Sequence, residues 1–181
     1  MIVRTLEDKQ LALALIGRLL EYPKENYGQQ VKSATGFLKE HFEKQAKSMQ
    51  EFDKLVSLKP LWELEEIFTR TFDLAPICCP YISAHLYGDE SYDRGGFMAH
   101  LNMRYEECGF DLQGEMPDHL GAILRFAPNF SEDEFNELIH FCLLKPVKEM
   151  TESLDGSENC YFYLLQTINQ LLAVDLPGVH A

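Results

Sequence analysis

The 181-residue sequence contains no run of eighteen apolar residues, so it offers no candidate for a membrane-spanning helix. Its first residues, MIVRTLEDK, lack the basic region, apolar stretch and small-residue cleavage site of a secretory signal peptide. We therefore expect a cytoplasmic protein with no stable membrane insertion. Because 46% of the residues are hydrophobic, the chain can bury a core of its own, and we expect residues 1–181 to form a single domain.

Paired cysteine spacings are also missing. The five cysteines make an odd number and include no C-x-x-C pair, which argues against a disulfide framework and against a zinc site. Cys108, Cys142 and Cys160 fit buried free thiols. Cys78 and Cys79 lie in a loop bounded by prolines, which leaves open that they are exposed and reactive.

Familiar catalytic motifs are absent as well. The sequence has no H-E-x-x-H motif, no repeated E-x-x-H pair, no Gly-rich phosphate loop and no G-x-S-x-G elbow. The sequence therefore offers no recognisable catalytic or phosphate-binding motif, and we predict no bound cofactor or metal. A small helical metalloprotein built on His85, His100 and acidic residues such as Asp89 or Asp93 is an alternative, although an acid-rich segment produces such groupings by chance.

Negative charge is present in excess but is unevenly distributed. The net charge is −13 at pH 7; residues 1–59 hold ten Lys/Arg and eight Asp/Glu, whereas residues 60–181 hold six and twenty-one, for a net charge of −15. An acidic surface repels nucleic acid and anionic membranes, and it attracts a basic partner. The alternative is that these charges only keep the protein soluble.

Helical spacing of apolar residues dominates the chain, and no strand-like alternation occurs. Thr5-x-x-Asp8 and Ser131-x-x-Glu134 are typical of capping boxes, and Gly109 is placed to end a helix in the left-handed conformation. We predict an all-α, single-domain bundle of about eight to ten helices, with a loose tail at 175–181. The predicted helices cover about 6–21, 26–47, 48–58, 60–73, 93–108, 117–127, 131–144, 146–156 and 157–174, with a short turn at 81–86.

A Pro-Asp-His corner stands out from this helical pattern. Pro117 predicts the first residue of a helix, which places Asp118 and His119 in its first turn. The free amides and positive dipole at a helix start favour an ionised Asp118 and disfavour a charged His119. Either Asp118 only caps its helix while His119 fills a half-buried gap, or the two residues recognise a partner.

Several motifs together resemble one protein family. The matching elements are Leu19-Leu20-x-Tyr22-Pro23, Phe68-x-x-x-Phe72-Asp-Leu, Pro80-Tyr81, Leu86-Tyr87-Gly88-Asp89, Asp93-Arg94-Gly95, Tyr105-x-x-x-Gly109-Phe110 and Glu115-Met-Pro117-Asp118-His119-Leu120. This pattern resembles the molybdoenzyme maturation chaperones of the NarJ/TorD/DmsD family, and it looks closest to the nitrate reductase delta-subunit branch. The resemblance is strongest from about 60 to 130. Gly121 departs from it, because the branch more often has proline there.

The resemblance implies a cytoplasmic, all-helical chaperone, monomeric or homodimeric, that is not an enzyme. It implies binding of the N-terminal leader peptide of a molybdopterin-containing oxidoreductase catalytic subunit, often one with paired arginines. Such a chaperone holds the peptide for cofactor insertion, assembly and export or membrane docking. A nucleotide- or cofactor-binding assembly factor is the alternative.

The resemblance also implies a peptide-binding role for Asp118 and His119, and less directly for other residues of the same segment. Combined with the acidic charge, it yields the hypothesis that Asp118, with Asp89, Glu90 or Asp93, receives basic residues of the peptide. Tyrosine and leucine side chains of the segment would contact its apolar residues. The predicted peptide-binding set is Tyr81, Tyr87, Asp89, Asp93, Arg94, Pro117, Asp118, His119 and Leu120.

Overall fold

Helices form the fold, which confirms the prediction of an all-α protein. The computed structural model describes residues 5–87 and 91–174, and every regular element within those two ranges is helical apart from one isolated β-bridge. No helix in those ranges combines the length and the apolarity needed to cross a bilayer. The α-helices are α1 (Leu6–Gly17), α2 (Tyr27–His41), α3 (Ala46–Ser57), α4 (Leu61–Phe68), α5 (Ile82–Tyr87), α6 (Tyr92–Glu107), α7 (Leu120–Phe126), α8 (Glu132–Glu137), α9 (Leu144–Ser153) and α10 (Tyr161–Leu172).

The predicted helix caps are confirmed. Thr5 Oγ1 accepts a hydrogen bond from the Asp8 N–H, and the Asp8 carboxylate accepts one from the Thr5 N–H at 2.9 Å. Ser131 and Glu134 form the same reciprocal pair at the start of α8. Each box satisfies backbone N–H groups that have no acceptor within their own helix. Gly109 follows α6 with φ +61°, in the left-handed region.

Three predicted boundaries are wrong. The helix predicted over 26–47 is too long, since α2 ends at His41 and α3 begins at Ala46. The other two differences have a local reason. α7 begins at Leu120 instead of Pro117, because residues 116–119 form a turn in which the His119 N–H donates to the Met116 carbonyl at 3.1 Å. Pro146 does not restart a helix, because a π-helical segment at Leu138–Leu143 joins α8 to α9 without a break. Pro146 therefore lies inside a continuous helical run, where its missing N–H leaves a carbonyl of the π-helical segment without the usual backbone donor.

One apolar core runs through the bundle. α1 packs against α7 and α2, while α10 packs against α3 and α9. The core buries two tyrosines, Tyr27 and Tyr161, whose hydroxyl oxygens lie 3.1 Å apart. Because the Tyr27 hydroxyl donates to the Leu19 carbonyl at 2.8 Å, the Tyr161 hydroxyl donates to the Tyr27 oxygen. Both polar groups are therefore satisfied inside the core.

α1 and α7 cross at a pair of glycines. A Cβ atom added to Gly17 would lie 2.9 Å from the Gly121 carbonyl oxygen and 2.9 Å from the Arg125 nitrogen, and one added to Gly121 would lie 2.9 Å from the Gly17 carbonyl oxygen. Distances this short are not tolerated by carbon atoms in packed helices. The two backbones can therefore approach only because neither residue has a side chain, which gives the departure at Gly121 a physical reason.

We expect Gly17→Ala to lower the free energy of unfolding by about 1–3 kcal/mol, since the methyl group meets backbone atoms that cannot move away. Urea denaturation measures the change. Gly36→Ala, on the exposed side of α2 with no atom within 4 Å, is the matched control and should raise stability by up to about 1 kcal/mol. Equal stability of Gly17→Ala and the wild type would contradict the close crossing.

Candidate functional site

The candidate site is built where two connecting segments pair. Residues 80–82, which lead into α5, lie antiparallel to residues 118–120, which lead into α7, and two backbone hydrogen bonds of 2.9 Å join them. The bridge itself pairs Tyr81 with His119, whose rings meet edge to face at 5.6 Å. The pairing places Tyr81, one of the predicted binding residues, next to Asp118 and His119, although Tyr81 is distant from them in the sequence.

Asp118 is fully buried at this corner, with 0% of its surface exposed. Its Oδ2 atom accepts hydrogen bonds from the Ser83 hydroxyl and, at 3.3 Å, from the Ser83 N–H. The Ser83 hydroxyl oxygen in turn accepts a hydrogen bond of 2.8 Å from Arg94 Nε. Ser83 therefore links the buried carboxylate to Arg94 on α6, although no pattern in the sequence distinguishes this serine.

This burial argues against three of the predicted contacts. Asp118 cannot receive the basic residues of a partner directly, because no part of its side chain reaches solvent. Leu120 is also 0% exposed and Pro117 is buried, so neither offers a surface to a peptide. These residues lie beneath the surface of the site and support the residues that are exposed there.

His119 is the N-cap of α7 and is neutral. Its Nδ1 atom accepts a hydrogen bond of 3.1 Å from the Gly121 N–H, so the ring proton is on Nε2. Burial lowers the pKa of His119 below its usual value, and the charge of Arg125 acts in the same direction against those of Glu115 and Asp118. The prediction of an uncharged His119 is confirmed, with burial as the main cause. A proline at 121 would lack the N–H that fixes this ring.

His119 forms part of the wall of a surface cleft of about 260 Å³, which we call the Tyr22 cleft. Its floor is apolar: Leu20, Phe68 and Ala122 are buried beneath it. Tyr22 is 47% exposed and stands edge to face against Phe68, with ring centroids 5.6 Å apart. The residues that line the cleft are Leu20, Glu21, Tyr22, Lys24, Phe68, Asp73, Leu112, Gln113, Glu115, His119, Ala122 and Arg125.

Two carboxylates of the cleft repel each other. Glu21 is not one of them, because its Oε1 atom lies 2.7 Å from Arg125 Nε and the two charges neutralise each other. Partial burial raises the pKa of Asp73, and the charge of Glu115 raises it further. Glu115 Oε1 accepts a hydrogen bond of 3.3 Å from the Tyr81 hydroxyl, and burial together with this carboxylate raises the pKa of Tyr81 to about 12. A cation placed beside Asp73 and Glu115 would relieve their repulsion.

A second depression, of about 350 Å³, continues from the cleft. It shares Glu21, Tyr22, Lys24, Gln113 and Arg125 with the Tyr22 cleft. Its other lining residues are Ala14, Arg18, Asn26, Gln30 and Phe110. The two depressions together form one groove that is acidic at the Asp73 end and more basic at the Arg18 end.

The remaining predicted residues lie outside the cleft lining. Tyr87 is 37% exposed and its ring lies 6.0 Å from that of Phe97. Asp93 is exposed in the first turn of α6, next to Arg94. Asp89 and Glu90 lie outside the described residues. The structure therefore brings Tyr81, Arg94 and residues 117–120 together, and it leaves Tyr87 and Asp93 at a separate surface.

The sequence analysis missed three residues that define the cleft. Tyr22, Asp73 and Glu115 come from the end of the first helical segment, the π-helical extension of α4 at Thr69–Asp73, and the loop before α7. A signal was available, because all three occur in the motifs that carry the family resemblance. Their convergence on one cleft could not be read from spacing.

A metal centre on the histidines finds no support in the described residues. No three His, Cys, Asp or Glu side chains within 5–87 and 91–174 are grouped to hold a metal ion. Both ring nitrogens of His85 are engaged, Nδ1 by Glu149 Oε2 at 3.0 Å and Nε2 by the Cys79 carbonyl at 2.9 Å. His100 is exposed on α6.

We expect Ser83→Ala to destabilise the protein by about 1–3 kcal/mol, because the buried Asp118 carboxylate loses its hydroxyl donor. Urea denaturation measures the free energy of unfolding. Ser33→Ala, at an exposed position of α2, removes a hydroxyl without this partner and should change stability by less than about 0.5 kcal/mol. If both variants unfold at the same urea concentration, the Ser83 hydroxyl does not support Asp118.

A pH effect follows from the lowered pKa of His119. An unfolded histidine titrates near about pH 6.5, so below this value the unfolded chain binds more protons than the folded one. The contribution of His119 to stability is therefore present above about pH 6.5 and is lost as the pH falls towards its folded pKa. We expect the wild type to lose more stability from about pH 7 to about pH 5 than His119→Asn, whose amide oxygen accepts the same N–H without titrating. Parallel curves of unfolding free energy against pH would contradict this.

The sequence and the fold can now be compared with known proteins. In sequence, residues 18–158 match the nitrate reductase delta subunit family. No curated protein sequence is significantly similar to this chain. In structure, the chain is similar to a protein from Archaeoglobus fulgidus whose crystal structure was solved as that of a candidate redox enzyme maturation protein, with a TM-score of 0.62 and 16% identity over 95% of this chain and 96% of that chain. At this identity the likeness shows a shared fold, whereas the family match spans most of the sequence, and this chain therefore belongs to the nitrate reductase delta subunit family.

Proposed function

We propose that this protein is a cytoplasmic maturation chaperone, and that it binds the N-terminal peptide of a molybdopterin-containing oxidoreductase catalytic subunit. It holds this peptide for cofactor insertion, assembly and export or membrane docking, and it catalyses no reaction itself. The observation that carries the proposal is the family match over residues 18–158. The fold shared with a candidate redox enzyme maturation protein supports the same class of function.

The Tyr22 cleft is the part of the surface that we propose for peptide capture. An amphipathic helix binds in a groove that has an apolar floor and polar edges. The cleft has such a floor in Leu20, Phe68 and Ala122, and the exposed Tyr22 ring stands beside it. The adjoining depression around Arg18 lengthens the groove, which suits an extended or helical segment better than a small compact ligand.

The acidic side of the cleft favours a cationic residue of the peptide. Asp73 and Glu115 repel each other, and an arginine or lysine between them would neutralise both carboxylates. The aromatic ring of Tyr22 offers the same side chain a cation–π contact. We propose that this pair, in place of Asp118, receives the basic residues of the peptide.

His119 has a different role in this proposal. Its Nδ1 atom is occupied by the Gly121 N–H, which leaves the protonated Nε2 as a donor. A neutral donor does not repel a basic peptide, so we propose that His119 donates a hydrogen bond to a peptide carbonyl. Asp118, Ser83 and Arg94 hold the corner in place from inside the bundle.

The test uses the N-terminal peptide of a molybdopterin oxidoreductase catalytic subunit from the same genome, titrated by calorimetry. We expect Asp73→Asn and Glu115→Gln each to weaken binding about tenfold, because each removes a charge-assisted contact. Glu115→Gln keeps an acceptor for the Tyr81 hydroxyl. The matched control is Glu51→Gln on α3, where the carboxylate is exposed and paired with Lys54, and it should leave the affinity unchanged.

A second peptide tests the charge contact with Asp73 separately from peptide binding itself. With the basic residues of the peptide replaced by glutamine, the wild type and Asp73→Asn should bind with equal affinity, as expected for a direct charge contact. Equal affinity of all variants for the native peptide would remove the cleft from the proposal. Absence of binding to the wild type would contradict the chaperone function with this client.

A further inference from the structure

A second group of reactive side chains lies beside the paired segment. Cys79 directly precedes residues 80–82 and is half-buried, so part of the residue lies at the surface. The imidazole of His85, on α5, lies beside this cysteine, with its Nε2 atom 2.9 Å from the Cys79 carbonyl oxygen. Glu149, on α9, approaches the other side of the same ring.

The hydrogen bonds of His85 require a charged ring. The Nε2 atom lies 2.9 Å from the carbonyl oxygen of Cys79, which can only accept, so Nε2 carries a proton. The Nδ1 atom lies 3.0 Å from Glu149 Oε2, a carboxylate that also accepts. An imidazole with an acceptor at each nitrogen is an imidazolium, and this one lies next to a thiol.

The surrounding charges act in the same sense. Hydrogen bonding to the Cys79 side chain raises the pKa of His85 to about 9, and the bonds to the Cys79 carbonyl and to Glu149 add to this effect. The bond from His85 lowers the pKa of the Cys79 thiol, against burial and the charge of Asp118. Cys78 is the other titratable neighbour in the loop, and Lys145 lies 3.8 Å from Glu149 on the far side.

We propose that Cys79 is a modification site, where a thiolate held by His85 and Glu149 attacks small-molecule disulfides and soft electrophiles. Partly exposed thiolates beside a cationic side chain are the reactive ones in proteins. In the exchange, the Cys79 sulfur forms a bond to one sulfur of the disulfide and the original S–S bond breaks. The departing sulfur leaves with the electron pair as a free thiolate, so no further oxidant is needed. The proposal is independent of peptide binding.

The other cysteines provide an internal comparison. Burial raises the pKa of Cys78 to about 12 and that of Cys160 to about 11, and both side chains are almost fully buried. Burial also raises the pKa of the half-buried Cys142. Cys108, after α6, is exposed. Exposure alone would therefore make Cys108 the first to react, whereas activation by His85 favours Cys79.

The experiment treats the native protein with a limiting amount of iodoacetamide at about pH 6 and locates the label by peptide mass mapping. We expect Cys79 to react at least about tenfold faster than Cys108, because the neighbouring imidazolium increases the fraction of Cys79 that is present as thiolate. His85→Gln should slow Cys79 about tenfold and move its rate–pH profile to higher pH, while the Cys108 rate stays the same. Dithiodipyridine, a neutral disulfide, should show the same order.

If His85→Gln does not fold, Glu149→Gln serves as the second test variant, because the Glu149 side chain is substantially exposed. It should also move the profile to higher pH, by less than His85→Gln. Faster labelling of Cys108 than of Cys79 in the wild type would overturn the proposal. So would a rate–pH profile of Cys79 that is unchanged in the folded variants, since His85 and Glu149 would then be only structural neighbours.

Discussion

The site depends on the backbone pairing of residues 80–82 with residues 118–120. Both segments are irregular connections, and the two hydrogen bonds of 2.9 Å between them are the only regular β pairing in the described ranges. The pairing fixes the start of α7. The Leu120 N–H donates to the Pro80 carbonyl oxygen, so it cannot donate to a carbonyl of an earlier helical turn. It also fixes Tyr81 against His119 at the edge of the Tyr22 cleft. The close crossing of α1 and α7 at the two glycines then sets the position of the corner in the bundle.

Charge near this pairing is decided by hydrogen-bond partners. His119 belongs to the pairing and His85 follows it on α5, and the two histidines are in opposite states of charge. His119 accepts an N–H and is neutral, whereas His85 faces two acceptors and is charged. Asp118 stays in the core because Ser83 supplies a hydroxyl and an amide to one of its oxygens. Substituting one of these hydrogen-bond partners therefore changes either the charge of the side chain bonded to it or the free energy needed to bury that side chain. A single substitution in this region thus affects several residues.

The sequence allowed prediction of elements whose cause is local. Apolar spacing and two capping boxes located the helices, and Gly109 has the left-handed conformation expected of a helix end. The start of α7 could not be predicted, because an amide bonded across the structure overrides the preference of Pro117 for a first turn. The Asp-His corner was found, but the burial of Asp118 depends on Ser83, a residue with no distinguishing pattern. Tyr22, Asp73 and Glu115 meet only in the folded chain.

The acidic composition and the cleft carboxylates act at different stages of binding. A net charge of −15 on residues 60–181 is spread over the surface, where salt screens it, so it mainly raises the rate at which a basic peptide arrives. Asp73 and Glu115 act at short range, because the charge of Glu115 raises the pKa of Asp73 and a cation between the two carboxylates relieves this repulsion. Such a contact slows dissociation more than it speeds association. The composition therefore indicates that the partner is positively charged. Which basic peptide binds depends on where Asp73 and Glu115 lie relative to the apolar floor of the cleft.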